Sequence, residues 1–285
     1  MSKTKIDTRA IGLEVGSELS TWLTGSPNLH YGLWDGLEVN AGNLGAAQTA
    51  YTDKLFGYLP DGPLSILDIG GGAGVTARRL IAMGHRVEIV VPSDYLAGKC
   101  REIAPEAAVH ETTFENFATD ATFDVCLFSE SFQYIPLGTA LQKARGLTKD
   151  GGHILIADCF RAGAATTETG ERAVGGGHRV AAFRDKVAAL NLQEIASEDI
   201  TEAVAPSIDL EQSLFNVLGT AVSRIDQELT TKRPFGRKVA HTFLKMVFRR
   251  RGLEKLDARL RQTSRTSAAF LRHNVYLISL LRKIG

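Results

Sequence analysis

Ser65-Ile-Leu-Asp-Ile-Gly70-Gly-Gly-Ala-Gly74 is the stretch on which the fold turns. A short, mostly apolar run enters glycines at alternate positions (Gly70, Gly72 and Gly74). Helix-compatible sequence follows over Val75–Met83 and stops at Gly84. Glycine at a strand-to-helix turn permits φ > 0 and carries no Cβ, so a ligand can lie against the backbone at the carboxyl end of a sheet. The spacing is Gly-x-Gly-x-Gly, not the Gly-x-Gly-x-x-Gly of dinucleotide-binding turns. Asp68, two residues ahead of the first glycine, suits a ligand with a cationic amino group better than a pyrophosphate.

The same alternation continues outward. Arg86–Val91 is rich in β-branched residues and ends at Pro92, and a helix is expected around Tyr95–Ile103. Phe123–Phe128 reads as a buried strand and Leu137–Leu147 as a helix; Asp150-Gly-Gly152 then turns into a strand over His153–Ala157. Strands alternating with helices predict a parallel sheet covered on both faces. Ala162–Gly177, rich in Gly, Thr and Ala, reads either as a surface loop or as a lid over a ligand. Phe183–Leu192 resumes as helix and Leu192–Ile200 as a further strand. From Ser207 apolar residues recur at helical spacing, with Ser207 or Asp209 as the expected cap. Helical patterning runs on through Val239–Val247 and Leu253–Leu271 before a β-like run, Asn274–Leu281.

The expected organisation is therefore a core of residues 1–205 and 273–285, opening with an N-terminal helical segment (1–60), and a helical cap of residues 206–272. A chain of 285 residues, 44% of them hydrophobic, can bury a large core, and a net charge of +1 excludes wholesale disorder and a histone-like polyanion binder. That neutrality is a cancellation. Residues 1–231 hold 18 Lys/Arg against 30 Asp/Glu, whereas residues 232–272 hold 13 Lys/Arg against only Glu254 and Asp257. Cys100, Cys126 and Cys159 are widely spaced and odd in number, so they form neither a disulfide framework nor a metal cluster, and no metal is expected. With no signal-peptide core and no apolar stretch of membrane-spanning length, a cytoplasmic protein is expected, peripheral to the inner face of a membrane if the basic cap meets lipid.

Three segments carry a resemblance. Leu67–Gly74, Phe123-Asp-Val-Cys-Leu-Phe-Ser-Glu-Ser-Phe-Gln-Tyr-Ile135 and Leu147-Thr-Lys-Asp-Gly-Gly-His-Ile-Leu-Ile156 resemble, in order and spacing, the class I S-adenosylmethionine-dependent methyltransferases. The resemblance implies a Rossmann-like, seven-stranded, mostly parallel α/β sheet whose last strand is antiparallel, with S-adenosyl-L-methionine as cofactor. Asn28-Leu-His-Tyr-Gly-Leu-Trp34, about 35 residues before the glycines, is similar to a segment of a narrower group. That group holds the tocopherol and quinone, sterol side-chain, cyclopropane fatty-acid and glycine/sarcosine enzymes. There the segment closes over the methionine half of the cofactor, and helices between the last two strands cap the acceptor.

The resemblance implies cofactor contacts from Tyr31, Trp34, Asp68, Gly70, Gly72, Gly74, Ser93, Phe114, Ser129 and Glu130. Tyr31 and Trp34 would offer aromatic faces to a sulfonium, worth ~0.5–2 kcal/mol; packing in a core is the alternative. Where the family has an acidic residue for the ribose hydroxyls this chain has Val91, with Asp94 three residues on, and near the adenine amine it has Thr113, with Glu115 beyond. An acceptor that must lose a proton needs a base, for which His30, Glu130 and Tyr134 are the near candidates and His178 and His273 more distant ones.

The expected function is methyl transfer to a small lipophilic acceptor of terpenoid, quinone, sterol or fatty-acyl type, with C-methylation favoured. N- or O-methylation of a polar metabolite, or ligand binding on this fold without methyl transfer, are the alternatives. For the basic segment 232–272 three readings stand: a solvated face paired to the acidic body, contact with anionic lipid headgroups, or capture of an acidic or diphosphate-bearing acceptor. No nucleic-acid reading module is present, and the sequence leaves the oligomeric state open.

Overall fold

The computed structural model describes residues 8–163, 174–247, 260 and 265–284. Among these, seven strands form one sheet: β1 (Ser65–Ile69), β2 (Arg86–Val90), β3 (Ala108–His110), β4 (Phe123–Ser129), β5 (Thr148–Arg161), β6 (Leu192–Asp199) and β7 (Asn274–Lys283). Their order is β3-β2-β1-β4-β5-β7-β6. The β1–β2, β1–β4, β2–β3 and β4–β5 pairs are parallel, and β7 runs antiparallel to both β5 and β6. This is the seven-stranded sheet, antiparallel at its last strand, expected from the sequence.

The helices are α1 (Thr8–Thr24), α2 (Leu44–Phe56), α3 (Val75–Ala82), α4 (Asp94–Ile103), α5 (Leu137–Leu147), α6 (Val180–Ala189), α7 (Thr201–Val204), α8 (Pro206–Lys232) and α9 (Pro234–Val247), with a further short helix over Ser267–His273. Side-chain alternation along each strand feeds two cores, one on each face of the sheet. On β1, Ile66 enters the core that holds Tyr51, Leu55 and Tyr276, while Leu67 and Ile69 enter the one that holds Phe128, Phe132 and Phe160. All five β1 residues are buried, as a central parallel strand requires.

The strand order reverses between β1 and β4, which opens a crevice beyond their carboxyl ends. The glycine turn leaves β1 there, and Ser129-Glu130-Ser131 leaves β4 beside it. α7, α8, α9 and the short helix all lie between β6 and β7 in the chain, the position expected of the cap. The capping of α8 differs from expectation. It begins at Pro206, whose missing N–H is no loss in a first turn, and no side chain caps it. Ser207 and Asp209 have other partners: Ser207 Oγ accepts from Gly32 N (3.0 Å) and Trp34 Nε1 (2.8 Å), and Asp209 Oδ1 accepts from Ser267 N (2.8 Å). Most of the loop-or-lid segment Ala162–Gly177, and Arg249, Arg250, Arg251, Lys255, Arg259 and Arg261 of the basic segment, lie outside the described residues. No helix among the described residues is long and apolar enough to cross a membrane.

Candidate active site

The glycine turn is built on left-handed backbone. Gly70, Gly72 and Gly74 have φ of 77°, 55° and 88°, where a Cβ is disfavoured. Gly70 N donates to Val90 O (2.7 Å) and Gly72 N to Gly70 O (2.7 Å), which pins the turn to β2 and curls it above the sheet. A Cβ at Gly71 would meet Asp68 Oδ2 at 2.6 Å, so the carboxylate sits directly beneath the turn.

The turn forms one wall of a cleft of about 260 Å³. Asp68, Gly70, Gly72, Ser93, Phe114, Ser129 and Glu130 line it, as do Leu13 and Leu29 from the N-terminal segment and Thr113 and Glu115 after β3. Gly74 does not; a Cβ there would face Cys100, because its place is the start of α3. Asp68 Oδ2 is buried with no hydrogen-bond donor, and burial pushes the carboxyl up to about 7. An orphaned buried carboxylate on a cleft wall fits a ligand that brings an ammonium group.

The side of the cleft where the resemblance implies the ribose is different. Val91 is buried at 2% exposure. Asp94 does not bend back: its Oδ1 accepts from Tyr95 N (2.8 Å) and it is absent from the cleft wall. Ser93 lines the cleft and its Oγ caps α4 through Leu96 N (3.3 Å).

A second cavity, of about 680 Å³, adjoins the first. Leu19, Trp22 and Leu23 of α1, Leu210, Leu214 and Val217 of α8, Gln133, Cys159, Val174 and Arg265 surround it. Asn28, Leu29, His30, Glu130 and Tyr134 line both spaces and form the wall between them. The three near candidates for a base therefore all stand where the two cavities meet.

Glu130 is the best defined of the three. Its φ of +54°, rare for a residue with a side chain, follows the end of β4, and its N–H bonds to Ala157 O (2.9 Å). Oε1 accepts from Tyr31 N (2.8 Å) and from Tyr276 OH (2.9 Å). Tyr276 OH also meets Tyr51 OH (2.8 Å), which reaches Ser129 Oγ (3.3 Å). Burial, opposed by the bond from Tyr31 N, raises the Glu130 carboxyl to about 8. His30 stacks on Tyr51 (centroids 4.7 Å apart), and its Nδ1 donates to Tyr31 O (2.8 Å). Burial lowers it to about 4, so near neutrality it is uncharged.

Tyr31 and Trp34 separate. Tyr31 lines the second cavity, not the cleft, and its ring packs edge-on against Phe270 at 6.3 Å. Trp34, 4% exposed, bonds Ser207 and lines neither space: it is a core residue that ties the N-terminal segment to α8. His178 and His273 also line neither; His178 Nε2 bonds Ile135 O (2.9 Å).

Several site residues escaped the sequence. Tyr51 and Tyr276 support Glu130. Asp158, in the last third of β5, is buried and raised to about 7, and accepts from Gln133 N (3.0 Å), Gln133 Nε2 (2.9 Å) and Cys159 N (2.7 Å). None of them belongs to a local motif; only the apolar runs of β5 and β7 around Asp158 and Tyr276 hint at their burial.

A family model described as a methyltransferase domain matches residues 67–156. A search of curated proteins finds no match. Among solved structures, the [4+2]-cyclase SpnF is 15% identical over 97% of this chain and 96% of its own, with a TM-score of 0.68. The cyclopropane synthase MmaA2 from Mycobacterium tuberculosis is 15% identical over 98% and 100%, with a TM-score of 0.65. A geranyl diphosphate C-methyltransferase from Streptomyces coelicolor A3(2), solved with Mg2+, geranyl diphosphate and S-adenosyl-L-homocysteine, is 14% identical over 98% and 100%, with a TM-score of 0.63. At such identities these structures speak for the fold. The match to a methyltransferase domain spans the two turns that build the cleft, after β1 and after β4.

Proposed function

We propose that this chain methylates a small lipophilic acceptor held in the second cavity, with carbon as the favoured acceptor atom. The observation that carries this is the shared wall: Asn28, Leu29, His30, Glu130 and Tyr134 face both spaces, so two ligands would meet there. Asp68, the glycine turn, Ser93, Phe114, Glu115 and Glu130 would hold the cofactor, whose sulfonium supplies the methyl group when bound.

Displacement at a sulfonium needs alignment and exclusion of water more than covalent help. The apolar side chains of Leu29 and Ile135 on the cleft wall serve that exclusion. Glu130 Oε1 is occupied by Tyr31 N and Tyr276 OH, so Oε2 is the oxygen that takes the acceptor's proton. A carboxyl held at about 8 is matched to proton transfer near neutral pH. Calorimetry with S-adenosylmethionine and S-adenosylhomocysteine tests the reading, and no detectable affinity for either overturns it.

A second reading, an acceptor transformed without methyl transfer, draws on the ribose side, where Val91 stands in place of a carboxylate. Turnover of an acceptor in the presence of S-adenosylhomocysteine alone would favour it. For the basic segment, peripheral contact with anionic lipid is supported by Phe235 and Val239, exposed on α9 beside Arg233 and Lys238. Partial pairing to acidic neighbours reduces that charge, since Lys232 bonds Glu228 (2.5 Å) and Arg237 bonds Asp226 (2.8 Å). Co-sedimentation with vesicles tests the contact, and binding indifferent to anionic lipid content counts against it.

A further inference from the structure

Gln133 stands three residues after Glu130, in the segment that follows β4, and lines the second cavity with it. Its amide has one orientation. Asp158 Oδ2 accepts from Gln133 N at 3.0 Å and Oδ1 from Cys159 N at 2.7 Å, so both oxygens of the carboxylate already act as acceptors. Gln133 Nε2 donates to the same Oδ1 at 2.9 Å, which turns Oε1 away from Asp158. That oxygen lies beside Gly176, also of the cavity lining, where a Cβ would meet it at 3.3 Å. A second amide of the lining repeats the arrangement. Gln48 Nε2 donates to His30 O (2.9 Å) and Asn28 O (3.3 Å), and two carbonyls can be met only by the NH2 end. Gln48 Oε1 is left buried with no hydrogen-bond partner among the described residues.

We propose that Gln133 is a specificity-determining residue of the second cavity, its Oε1 accepting a hydrogen bond from a hydroxyl group of the acceptor. The inference rests on the second cavity being the acceptor site, and it narrows the acceptor to a lipophilic alcohol. An alcohol brings the hydrogen that Oε1 can accept. A ketone or an ether of the same size brings only lone pairs and sets them against that oxygen. The amide is held before the ligand arrives, so little side-chain freedom is lost on binding. The buried Gln48 oxygen, also short of a donor, sets the same preference. Leu19, Trp22, Leu23, Leu210, Leu214 and Val217 suit the apolar remainder of such a molecule.

The test is binding of 2-decanol and of 2-decanone to the full chain, read by calorimetry, for the wild type, Gln133→Leu and Gln133→Met. The wild type is expected to bind the alcohol more tightly than the ketone by at least about fivefold. In both variants the alcohol should weaken to the level of the ketone, whose own affinity stays within about twofold. Wild-type binding of the ketone as tight as that of the alcohol overturns the proposal, and so does an unchanged ratio in the variants. If either variant fails to fold, the wild-type ratio still decides. Failure of the wild type to bind either probe overturns the acceptor-site reading itself, and the role of Gln133 with it. Binding of both probes without preference leaves that reading standing and overturns the role of Gln133 alone.

Discussion

Tyr276, near the start of the last strand, donates its phenolic hydrogen to Oε1 of Glu130 at 2.9 Å. The bond joins β7 to the turn after β4 and, with the one from Tyr31 N, occupies one oxygen of the carboxylate. Removing it in Tyr276→Phe takes away a donor that favours the ionised carboxylate, so the Glu130 pKa rises further. The acid limb of the pH profile of kcat/KM is expected to move up by about one unit, equivalent to ~1.4 kcal/mol. A limb that stays in place, with only the melting temperature lowered, would show that Tyr276 merely packs.

Gly72 has φ of +55° and open space where a Cβ would go. That space is the cleft. Gly72→Val adds both backbone strain and a side chain where the cofactor would lie, so affinity for S-adenosylhomocysteine should fall by about a hundredfold or more with circular dichroism unchanged. Retained affinity would place the cofactor elsewhere.

Ser207→Ala should behave in the opposite way. It strips the acceptor from Gly32 N and Trp34 Nε1, both buried, and should cost about 1–3 kcal/mol of stability. Thermal melts would show the loss, while calorimetry should find cofactor affinity changed by less than about threefold. A large loss of affinity would return Trp34 to the cofactor's surroundings.

Stability should fall between about pH 6.5 and pH 8. Asp68 and Asp158 are raised to about 7 and Glu130 to about 8, so in that window the folded chain holds more protons than the unfolded one. Buried His30, lowered to about 4, works in the other direction, but only below the ordinary histidine range. A ligand ammonium beside Asp68 would reverse part of the loss, so the melting-temperature shift produced by S-adenosylhomocysteine should grow as pH rises. A melting temperature that is flat or rising over this range without ligand contradicts the assignment.

The glycine turn was legible because everything it needs is local: a buried strand, three left-handed positions and a helix start within about ten residues. The strand alternation was legible for the same reason. The support of Glu130 was not, because Tyr276 lies 146 residues from it and Tyr51 lies 225 from Tyr276. No periodicity joins residues so far apart. In the segment holding Tyr31 and Trp34, an aromatic at either position satisfies the same pattern, and only the position of Ser207 decides that Trp34 turns into the core. The caps of α8 failed for a related reason: Ser207 and Asp209 are good capping residues, but tertiary partners claimed both.

The place of β7 between β5 and β6 has a consequence for how the molecule is made. As the chain leaves the ribosome, β5 and β6 emerge well before the strand that pairs with both. Until residues 274–283 appear, each presents an unsatisfied edge, and Glu130 lacks the phenol that orients it. The site is therefore assembled last, by the same strand that closes the sheet, and a nascent chain stalled before residue 274 would hold a glycine turn but no completed site.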